Sequence, residues 1–294
     1  KGAVNLSLRF GVPALIVSLT VVAFGTSAPE LLISVRAVLA GVPDLALGNV
    51  LGSNTANVLL VLGIPALIAA LHTSEHDTRR SYVIMMAATG LFIALAFRGV
   101  YDWIAGGILL AALAAVLSDA ARTAYGHHQA DKALVDLDEV EGADPDMPMW
   151  HILGFLGAGL VGLPIGAEIL VQNAVVIAEA FNVPQAVIGL TLVAIGTSLP
   201  ELATTVMAAI RRQADVALGN VIGSNMFNLL AVIGVAALFG PIPVAPQFMQ
   251  MDLWVVLAAS ALLIPFVFMR QDIGRVWGVV LTLLYAGYLL LVLG

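Results

Sequence analysis

The sequence contains no cysteine and few charged residues. The lack of cysteine excludes disulfide bonds, thiolate metal sites and thiol nucleophiles. Charged residues make up 11% of the 294 residues and apolar residues 61%, whereas soluble domains carry about 25% charged residues. A soluble fold of this size could not cover its surface with so few charges, so most of the surface is predicted to face lipid. The 12 basic residues are outnumbered by 19 acidic ones, which gives no support to nucleic-acid binding.

Long apolar runs predict nine membrane-spanning helices. Such a helix needs about 20 predominantly apolar residues, and the alternating pattern of barrel strands does not occur. The nine candidate spans lie near residues 11–39, 44–71, 81–98, 102–119, 150–178, 184–210, 215–240, 251–269 and 273–293. We therefore predict an all-α polytopic membrane protein.

The basic residues between the spans predict the orientation of the chain. One side of the membrane collects ten Lys and Arg residues, and the other side collects two, Arg36 and Arg98. The ten are Lys1, Arg9, Arg79, Arg80, Arg122, Lys132, Arg211, Arg212, Arg270 and Arg275. Because basic loops remain in the cytoplasm, we expect the first side to be cytoplasmic and the C-terminus to lie outside.

An acidic segment at residues 119–149 divides the chain into two membrane halves, 1–118 and 150–294. Between Asp119 and Asp146 this segment holds eight acidic and two basic residues. Runs of like charge are usually solvated, so the segment is predicted to be a cytoplasmic linker.

The two halves carry an internal repeat with a shift of 171 residues. GTSAPE at 25–30 matches GTSLPE at 196–201, and DLALGNVLGSNTAN at 44–57 matches DVALGNVIGSNMFN at 215–228. From Val12 to Gly63, 27 of 52 positions are identical without a gap. Five predicted spans separate the starts of the two copies, so the copies cross the membrane in opposite directions. Such inverted repeats are typical of secondary transporters with a binding site at the midplane.

The same shift predicts that an N-terminal helix is missing from this chain. It places Ala3 and Phe10 on Ala174 and Phe181, inside and just after the fifth span. The first half therefore begins partway along the equivalent helix, and the complete protein is expected to have ten helices in two halves of five. A removed signal peptide is the alternative, although residues 1–10 already resemble the end of a repeat element.

Two glutamates at equivalent positions are the strongest site candidates. Glu30 and Glu201 lie deep in apolar spans, where a carboxylate costs about 2.5–3.5 kcal/mol on insertion scales. In an inverted repeat the two side chains can converge on one midplane point. Close carboxylates repel each other, so they need a cation or a shared proton. The role of Glu168, in the fifth span, stays open between the site and the bundle interior.

A proline precedes each glutamate and is predicted to break the helix there. Pro29 and Pro200 cannot donate an amide hydrogen, and they disfavour helical geometry in the preceding residue. Irregular backbone at this depth is tolerated where it lines a cavity. The carbonyl groups expected to be freed for an ion are those of Ala23, Thr26, Ala194 and Thr197.

Hydroxyl and amide side chains add further oxygen atoms, as hard cations require. The candidates are Thr26, Ser27, Ser53 and Asn57 in the first copy and Thr197, Ser198, Ser224 and Asn228 in the second. Hydrogen bonding between helices remains an alternative role for these uncharged residues. Gly48 and Gly52, like Gly219 and Gly223 in the second copy, have the spacing GxxxG and favour close helix packing.

The doubled motifs resemble the two alpha repeats of the cation/calcium exchanger superfamily, and in particular the prokaryotic sodium/calcium exchangers. The resemblance implies a ten-helix fold in the plasma membrane and exchange of calcium for sodium by alternating access, without a cofactor. The expected partners are calcium ions, sodium ions and the lipid bilayer.

The resemblance also implies roles for single residues. Glu30 and Glu201 would bind calcium with the carbonyls of Thr26 and Thr197. The implied sodium ligands are Ala23, Thr26, Ser27, Ser53 and Glu30 on one side and Ala194, Thr197, Ser198, Ser224 and Glu201 on the other, with Asn57 and Asn228 at the centre. Some members carry an acid at the position of Asn228, and asparagine at both central positions argues against potassium dependence.

Three other functions are compatible with parts of the pattern. A proton-coupled exchanger of calcium or another divalent cation could use the same carboxylates. The many neutral oxygen atoms favour sodium, because protons do not need them as ligands. An intramembrane hydrolase is disfavoured because acid–base catalysis needs two carboxyl environments that differ. A passive channel would also suit broken helices. We therefore predict a transporter and not an enzyme.

Overall fold

The computed structural model describes residues 5–6, 9, 27–73, 78–130, 144, 146–211, 214–269 and 271–293. The first half contains α1 (Ala28–Leu39), α2 (Pro43–Leu59), α3 (Gly63–Ile68), α4 (Arg79–Ala96), β1 (Val100–Tyr101) and α5 (Trp103–Ala130). The second half begins with α6 (Met149–Phe181), α7 (Gln185–Ile188), the π-helix π1 (Gly189–Val193), α8 (Ala194–Thr197) and α9 (Leu199–Ile210). It continues with α10 (Ala214–Phe227), π2 (Asn228–Val232), α11 (Ile233–Phe239), β2 (Ile242–Pro243), π3 (Phe248–Asp252), α12 (Leu253–Ala261), α13 (Ile264–Phe268) and α14 (Arg275–Leu293).

The described residues form a helical membrane protein, as predicted. Six helical stretches are long and apolar enough to cross a membrane, and a seventh results if the bent stretch from Gln185 to Ile210 counts as one span. The six are Pro43–Ile68, Arg79–Ala96, Trp103–Ala120, Val216–Phe239, Phe248–Phe268 and Arg275–Leu293. Each of the seven coincides with a predicted span, and α6 coincides with the fifth. The count of nine, the missing N-terminal helix and the division into three segments stay predictions.

Helix α5 is longer than the membrane span that it contains, Trp103–Ala120. Helix α5 continues to Ala130, beyond the predicted end of the fourth span at residue 119. Alanine is frequent in the extension and proline is absent, which favours a helix there, although Gly126 disfavours it. The beginning of the acidic segment is therefore helical, and the rest of it up to residue 143 lies outside the described residues.

Helix α2 is the centre of the fold. Every residue from Leu45 to Leu59 is buried, and a helix that is buried all round must pack against neighbours on all sides. Two glycines allow the backbone of α2 to approach the segment from α7 to α8 very closely. A Cβ atom on Gly48 would lie 2.6 Å from the Ala186 carbonyl oxygen, and one on Gly52 would lie 2.5 Å from that of Leu190. The predicted GxxxG packing is thus confirmed for this pair, and its partners are α7, π1 and α8 of the other half. For Gly219 and Gly223, no atom of the described residues lies within 4 Å of an added Cβ atom.

Short contacts pair the loops at the two ends of the bundle. At one end, β1 and β2 form an antiparallel pair with Val100 opposite Pro243. At the other end, Leu71 and Ile273 form an isolated bridge, and the His72 ring lies 2.9 Å from the Asp272 carboxylate. Both pairs join loops that the orientation analysis predicts on the same side of the membrane.

Candidate cation site

The two candidate glutamates each lie in the first turn of a helix. Helix α8 ends at Thr197 and α9 begins at Leu199, with a bend of 44° between the two helical segments. Pro200 is in the first turn of α9 and Glu201 follows it. The predicted break is therefore confirmed in the second copy. In the first copy, α1 begins at Ala28 with Glu30 in its first turn.

Both glutamates are completely buried. Their carboxyl groups are close enough to repel each other when both are charged. Among the described residues, neither carboxyl oxygen of Glu30 has a hydrogen-bond partner. Because a buried carboxylate without a partner is strongly unfavourable, this geometry requires a cation or a proton.

Most other buried polar atoms that lack a hydrogen-bond partner belong to the same two motifs. Outside the motifs, the part of the chain that the structure describes has one such side-chain atom, the Tyr285 hydroxyl. Within the motifs these atoms are Ser27 Oγ, Asn54 Oδ1, Asn57 Oδ1, Ser198 Oγ, Ser224 Oγ and both polar atoms of Asn228. Each buried unsatisfied group costs about 1–3 kcal/mol, so their concentration here indicates the lining of a ligand site.

A hydrogen-bond network joins the two copies beside the glutamates. The Thr197 hydroxyl lies 3.2 Å from Ser53 Oγ, from Asn49 Oδ1 and from the Ala194 carbonyl oxygen. The Asn49 amide in turn donates to the backbone carbonyl of Glu30 at 3.4 Å. The first glutamate is thus connected to the helix break before the second.

Asparagines join α2 to α10 in a nearly symmetric way. Asn54 donates to the Asn225 carbonyl at 3.2 Å, and Asn225 donates to the Asn54 carbonyl at the same distance. The two residues are related by the repeat shift of 171. Asn57 also donates to Asn225 Oδ1 at 3.1 Å. The second motifs of the two copies therefore meet, as two convergent halves of a site would require.

The remaining predicted residues lie on elements that pack around this centre. Helix α10 carries Ser224 and packs against α9, which carries Glu201. Segment π2 begins at Asn228 and packs against α1, which carries Glu30. The predicted residues that the structure describes, all buried, are Ser27, Glu30, Ser53, Asn57, Ala194, Thr197, Ser198, Glu201, Ser224 and Asn228. Ala23, Thr26 and the side chain of Glu168 lie outside the described residues.

The Ala194 carbonyl, one of the expected cation ligands, accepts hydrogen bonds from the protein itself. The Ala194 carbonyl, expected to be freed by the break, accepts hydrogen bonds from the Ser198 amide at 3.0 Å and from the Thr197 hydroxyl at 3.2 Å. The bend starts after Thr197, so the last turn of α8 keeps its backbone hydrogen bond.

The site residue that the sequence analysis missed is Asn49. It contacts both the Glu30 backbone and the Thr197 side chain. The available signal was its recurrence as Asn220 in the second copy of the motif.

Two carboxylates surrounded by neutral oxygen atoms are groups that a hard cation could bind. No group of three or more His, Asp or Glu residues that could hold a metal ion occurs among the described residues. Neutral hydroxyl, amide and carbonyl oxygens would therefore complete the coordination shell, and oxygen ligands are those that calcium prefers.

Comparisons with known proteins identify a family for this chain. The family model described as sodium/calcium exchanger protein matches residues 1–118 and 151–294. The chain is 35% identical to the putative antiporter CaxA of Alkalimonas amylolytica, over 98% of this chain and 90% of that protein. It is 32% identical to the sodium/calcium exchanger MaX1 of Methanosarcina acetivorans, over 98% of this chain and 91% of that protein.

The fold is also similar to a solved exchanger structure. The sodium-calcium exchanger NCX_Mj superimposes with a TM-score of 0.67 at 30% sequence identity, over 97% of this chain and 89% of that chain. The family resemblance predicted from the doubled motifs is thereby confirmed. The chain is a transporter, not an enzyme, and it belongs to the sodium/calcium exchanger family.

Proposed function

We propose that this protein exchanges calcium for sodium across a membrane by alternating access, with Glu30 and Glu201 as the central cation ligands. The observation that carries the proposal is the complete burial of both glutamates at equivalent repeat positions, next to buried oxygen atoms that have no hydrogen-bond partner among the described residues. The names of the relatives MaX1 and NCX_Mj as sodium/calcium exchangers support the choice of ions.

Calcium is proposed to bind between the two carboxylates. One divalent ion neutralises both charges, and the carbonyls of Thr26 and Thr197 would add oxygen ligands. Sodium is proposed to occupy sites on either side of this centre. Its ligands would come from Ala23, Thr26, Ser27, Ser53 and Glu30 on one side and from Ala194, Thr197, Ser198, Ser224 and Glu201 on the other, with the two alanines contributing backbone carbonyls. With asparagine at positions 57 and 228, neither central position supplies a further carboxylate, and we propose that exchange needs no potassium.

Competition between the two ions explains why transport would be coupled. Calcium and sodium would use the same glutamates, so they cannot bind together. An empty site would leave two repelling carboxylates in a dry interior, which is unfavourable. The empty protein should therefore rarely pass through the occluded state, and net calcium leak without a counter-ion should be slow.

Alternating access needs an element that can change its arrangement around the site. The sixth predicted span suits this role because it is discontinuous, with π1 near its beginning and the 44° bend before Glu201. π-helical segments are frequent at functional sites. We propose that this span and its repeat equivalent, the first span, are the moving parts.

The proposed location is a prokaryotic plasma membrane. The excess of Lys and Arg residues on one side supports a cytoplasmic position for residues 119–149 and an external C-terminus. The pairing of β1 with β2, and of Leu71 with Ile273, supports the predicted distribution of the loops between two sides.

Calcium uptake into liposomes tests the function. The protein is reconstituted into sodium-loaded liposomes, which are diluted into sodium-free buffer with radioactive calcium. Uptake should require the outward sodium gradient and should disappear in Glu201→Gln. Asp102→Asn, a matched change outside the site, should leave it unaltered. Uptake driven by a pH gradient at constant sodium would instead indicate proton coupling, and no uptake under either gradient would exclude calcium as the cargo.

A further inference from the structure

Asn49 is a buried residue of α2 to which the family resemblance assigned no role. Its amide nitrogen donates to the Glu30 carbonyl at 3.4 Å and to Ser34 Oγ at 3.2 Å. Its amide oxygen accepts from the Thr197 hydroxyl at 3.2 Å. The Glu30 carbonyl can only accept hydrogen bonds, so it fixes which end of the Asn49 amide faces Thr197.

The Thr197 hydroxyl has one proton, and the acceptors within its reach include the Ser53 hydroxyl and the Glu30 carboxyl group besides two amide-type oxygens. These two are Asn49 Oδ1 and the Ala194 carbonyl oxygen, and both lie 3.2 Å away. Ser53, also 3.2 Å from this hydroxyl, can instead donate to it. When the proton is directed to Asn49, one lone pair of the Ala194 carbonyl is released.

We propose that Asn49 is a positioning residue that draws the Thr197 hydroxyl away from Ala194 and so makes the Ala194 carbonyl available to sodium. The inference rests on the proposed function, in which this carbonyl is a sodium ligand on the side of Glu201. Because Asn49 is held by the Glu30 backbone, the first half of the site would control a ligand of the second half.

The repeat supports a dedicated role for this asparagine. Asn220, the equivalent residue, donates to Thr205 at 3.3 Å, as Asn49 donates to Ser34. The anchoring contact thus recurs in both copies, with a hydroxyl-bearing residue as the acceptor each time. The position equivalent to Thr197 is Thr26, which lies outside the described residues.

The test separates sodium from calcium. In the liposome assay, internal sodium is varied at fixed calcium, and external calcium is varied at fixed sodium. Asn49→Ala should raise the half-saturating sodium concentration by about tenfold, the effect of one buried hydrogen bond. The half-saturating calcium concentration should change by less than about twofold, because the carbonyl proposed for calcium is that of Thr197.

A second substitution should reverse the defect. Thr197→Val removes the hydroxyl that blocks Ala194 and leaves both backbone carbonyls in place. Asn49→Ala combined with Thr197→Val should therefore return the sodium dependence towards that of the wild type. Thr55→Val is the matched control, since Thr55 is buried on the same helix and its hydroxyl bonds to the Leu51 carbonyl at 3.0 Å; it should alter neither ion.

Three results would overturn the inference. The first is an unchanged half-saturating sodium concentration in Asn49→Ala. The second is a rise in this variant that is equally large for sodium and for calcium. The third is a double variant that needs as much sodium as Asn49→Ala alone. If Asn49→Ala does not fold, Ser34→Ala, which removes one anchor of the Asn49 amide, should raise the sodium requirement by a smaller factor, and no change there counts against the inference. A wild-type protein without sodium-dependent uptake would instead refute the proposed function.

Discussion

At the scale of single residues, the burial of Glu30 creates a need for a positive charge or a proton in the interior. It is completely buried, and its carboxyl oxygens have no hydrogen-bond partner among the described residues. Nearby Glu201 adds repulsion when both are charged. A bound cation would relieve both penalties at once, so cation binding and folding stability should be linked in this protein.

This linkage predicts that calcium stabilises the wild type but not Glu30→Gln. A ligand at one hundred times its dissociation constant stabilises by about 2.7 kcal/mol, which thermal unfolding in detergent would register as a higher Tm. Glutamine has nearly the same shape without the charge, so the variant should lose most of the calcium shift. Asp102→Asn should retain it, and an equal calcium shift in Glu30→Gln would contradict the assignment.

Some of these residues could be predicted from sequence and others could not. Glu30 and Glu201 are conspicuous because charge is so unfavourable in an apolar span, and because the repeat places them at equivalent positions. Asn49 also recurs, as Asn220, but it carries no charge that would set it apart from the other repeated residues. Its partner Thr197 is 148 residues away, and its importance comes from a contact between the two halves that no local pattern encodes.

At the scale of helices, the approach of α2 to the sixth span depends on Gly52. A Cβ atom there would lie 2.5 Å from the Leu190 carbonyl oxygen and 2.6 Å from the Ala194 Cβ atom. Atoms cannot come so close, so any side chain must push the two helices apart. The displaced helix is the one that leads to the bend and to Glu201.

Gly52→Ala is therefore expected to destabilise the fold and to abolish transport. Overpacking of this kind costs about 1–3 kcal/mol, and the Tm in detergent should fall accordingly. Gly107→Ala is the control, because Gly107 is helical and no atom of the described residues lies within 4 Å of a Cβ added there. A variant with normal Tm and normal calcium uptake would show that the close contact is not required.

Helix α5 is capped by a titratable residue, Asp102, which directly precedes the membrane span Trp103–Ala120. Asp102 Oδ1 accepts from the Ala105 amide at 2.9 Å, and Arg98 lies 3.1 Å from Oδ2. The amide hydrogen bond first, and the Arg98 charge second, hold the pKa of Asp102 below its usual value. A lowered folded pKa means that the stabilisation is present at pH values above the unfolded pKa and is lost as the pH falls through the folded pKa.

The Tm difference between wild type and Asp102→Ala should therefore shrink in acid. It should be constant near neutral pH and should decline below about pH 4, the usual pKa of aspartate. Asp102→Asn keeps a capping oxygen without a titrating group, so its difference from Asp102→Ala should depend less on pH. A Tm difference that persists at the lowest pH would argue against this cap.

Element boundaries were predictable only where a residue imposes them. Pro200 removes an amide donor, and the break in front of Glu201 follows. The end of α5 at Ala130 could not be read from hydropathy, since a helix can continue into water after it leaves the lipid. The π-helical segments π1, π2 and π3 could not be predicted, because no residue type marks them in the sequence. A π-helical turn contains one residue more than an α-helical turn, and we attribute it to packing between helices.

At the scale of the whole molecule, the contacts at the two ends of the bundle support one arrangement of the loops. Residues 71–73 contact residues 271–273 at one end, and residues 100–101 contact residues 242–243 at the other. The predicted spans place the first pair of loops in the cytoplasm and the second pair outside. The repeat and the charge bias could predict this arrangement, because both depend only on counting crossings.

Cysteine labelling can test the arrangement without background, because the chain has no cysteine. His72→Cys and Gln271→Cys place thiols at one end of the bundle, and Arg98→Cys and Pro241→Cys place them at the other; all four positions are exposed. In intact cells, a membrane-impermeant maleimide should label positions 98 and 241 and should reach 72 and 271 only after the membrane is opened.

The two members of a pair must behave alike because they belong to loops in contact, so labelling of one member alone would contradict the fold. If both pairs show the reverse labelling, the fold remains supported, but the proposed orientation in the membrane is wrong. Since the exchanger could then still bind the same ions, the direction of calcium movement in the cell depends on this orientation and not on the site itself.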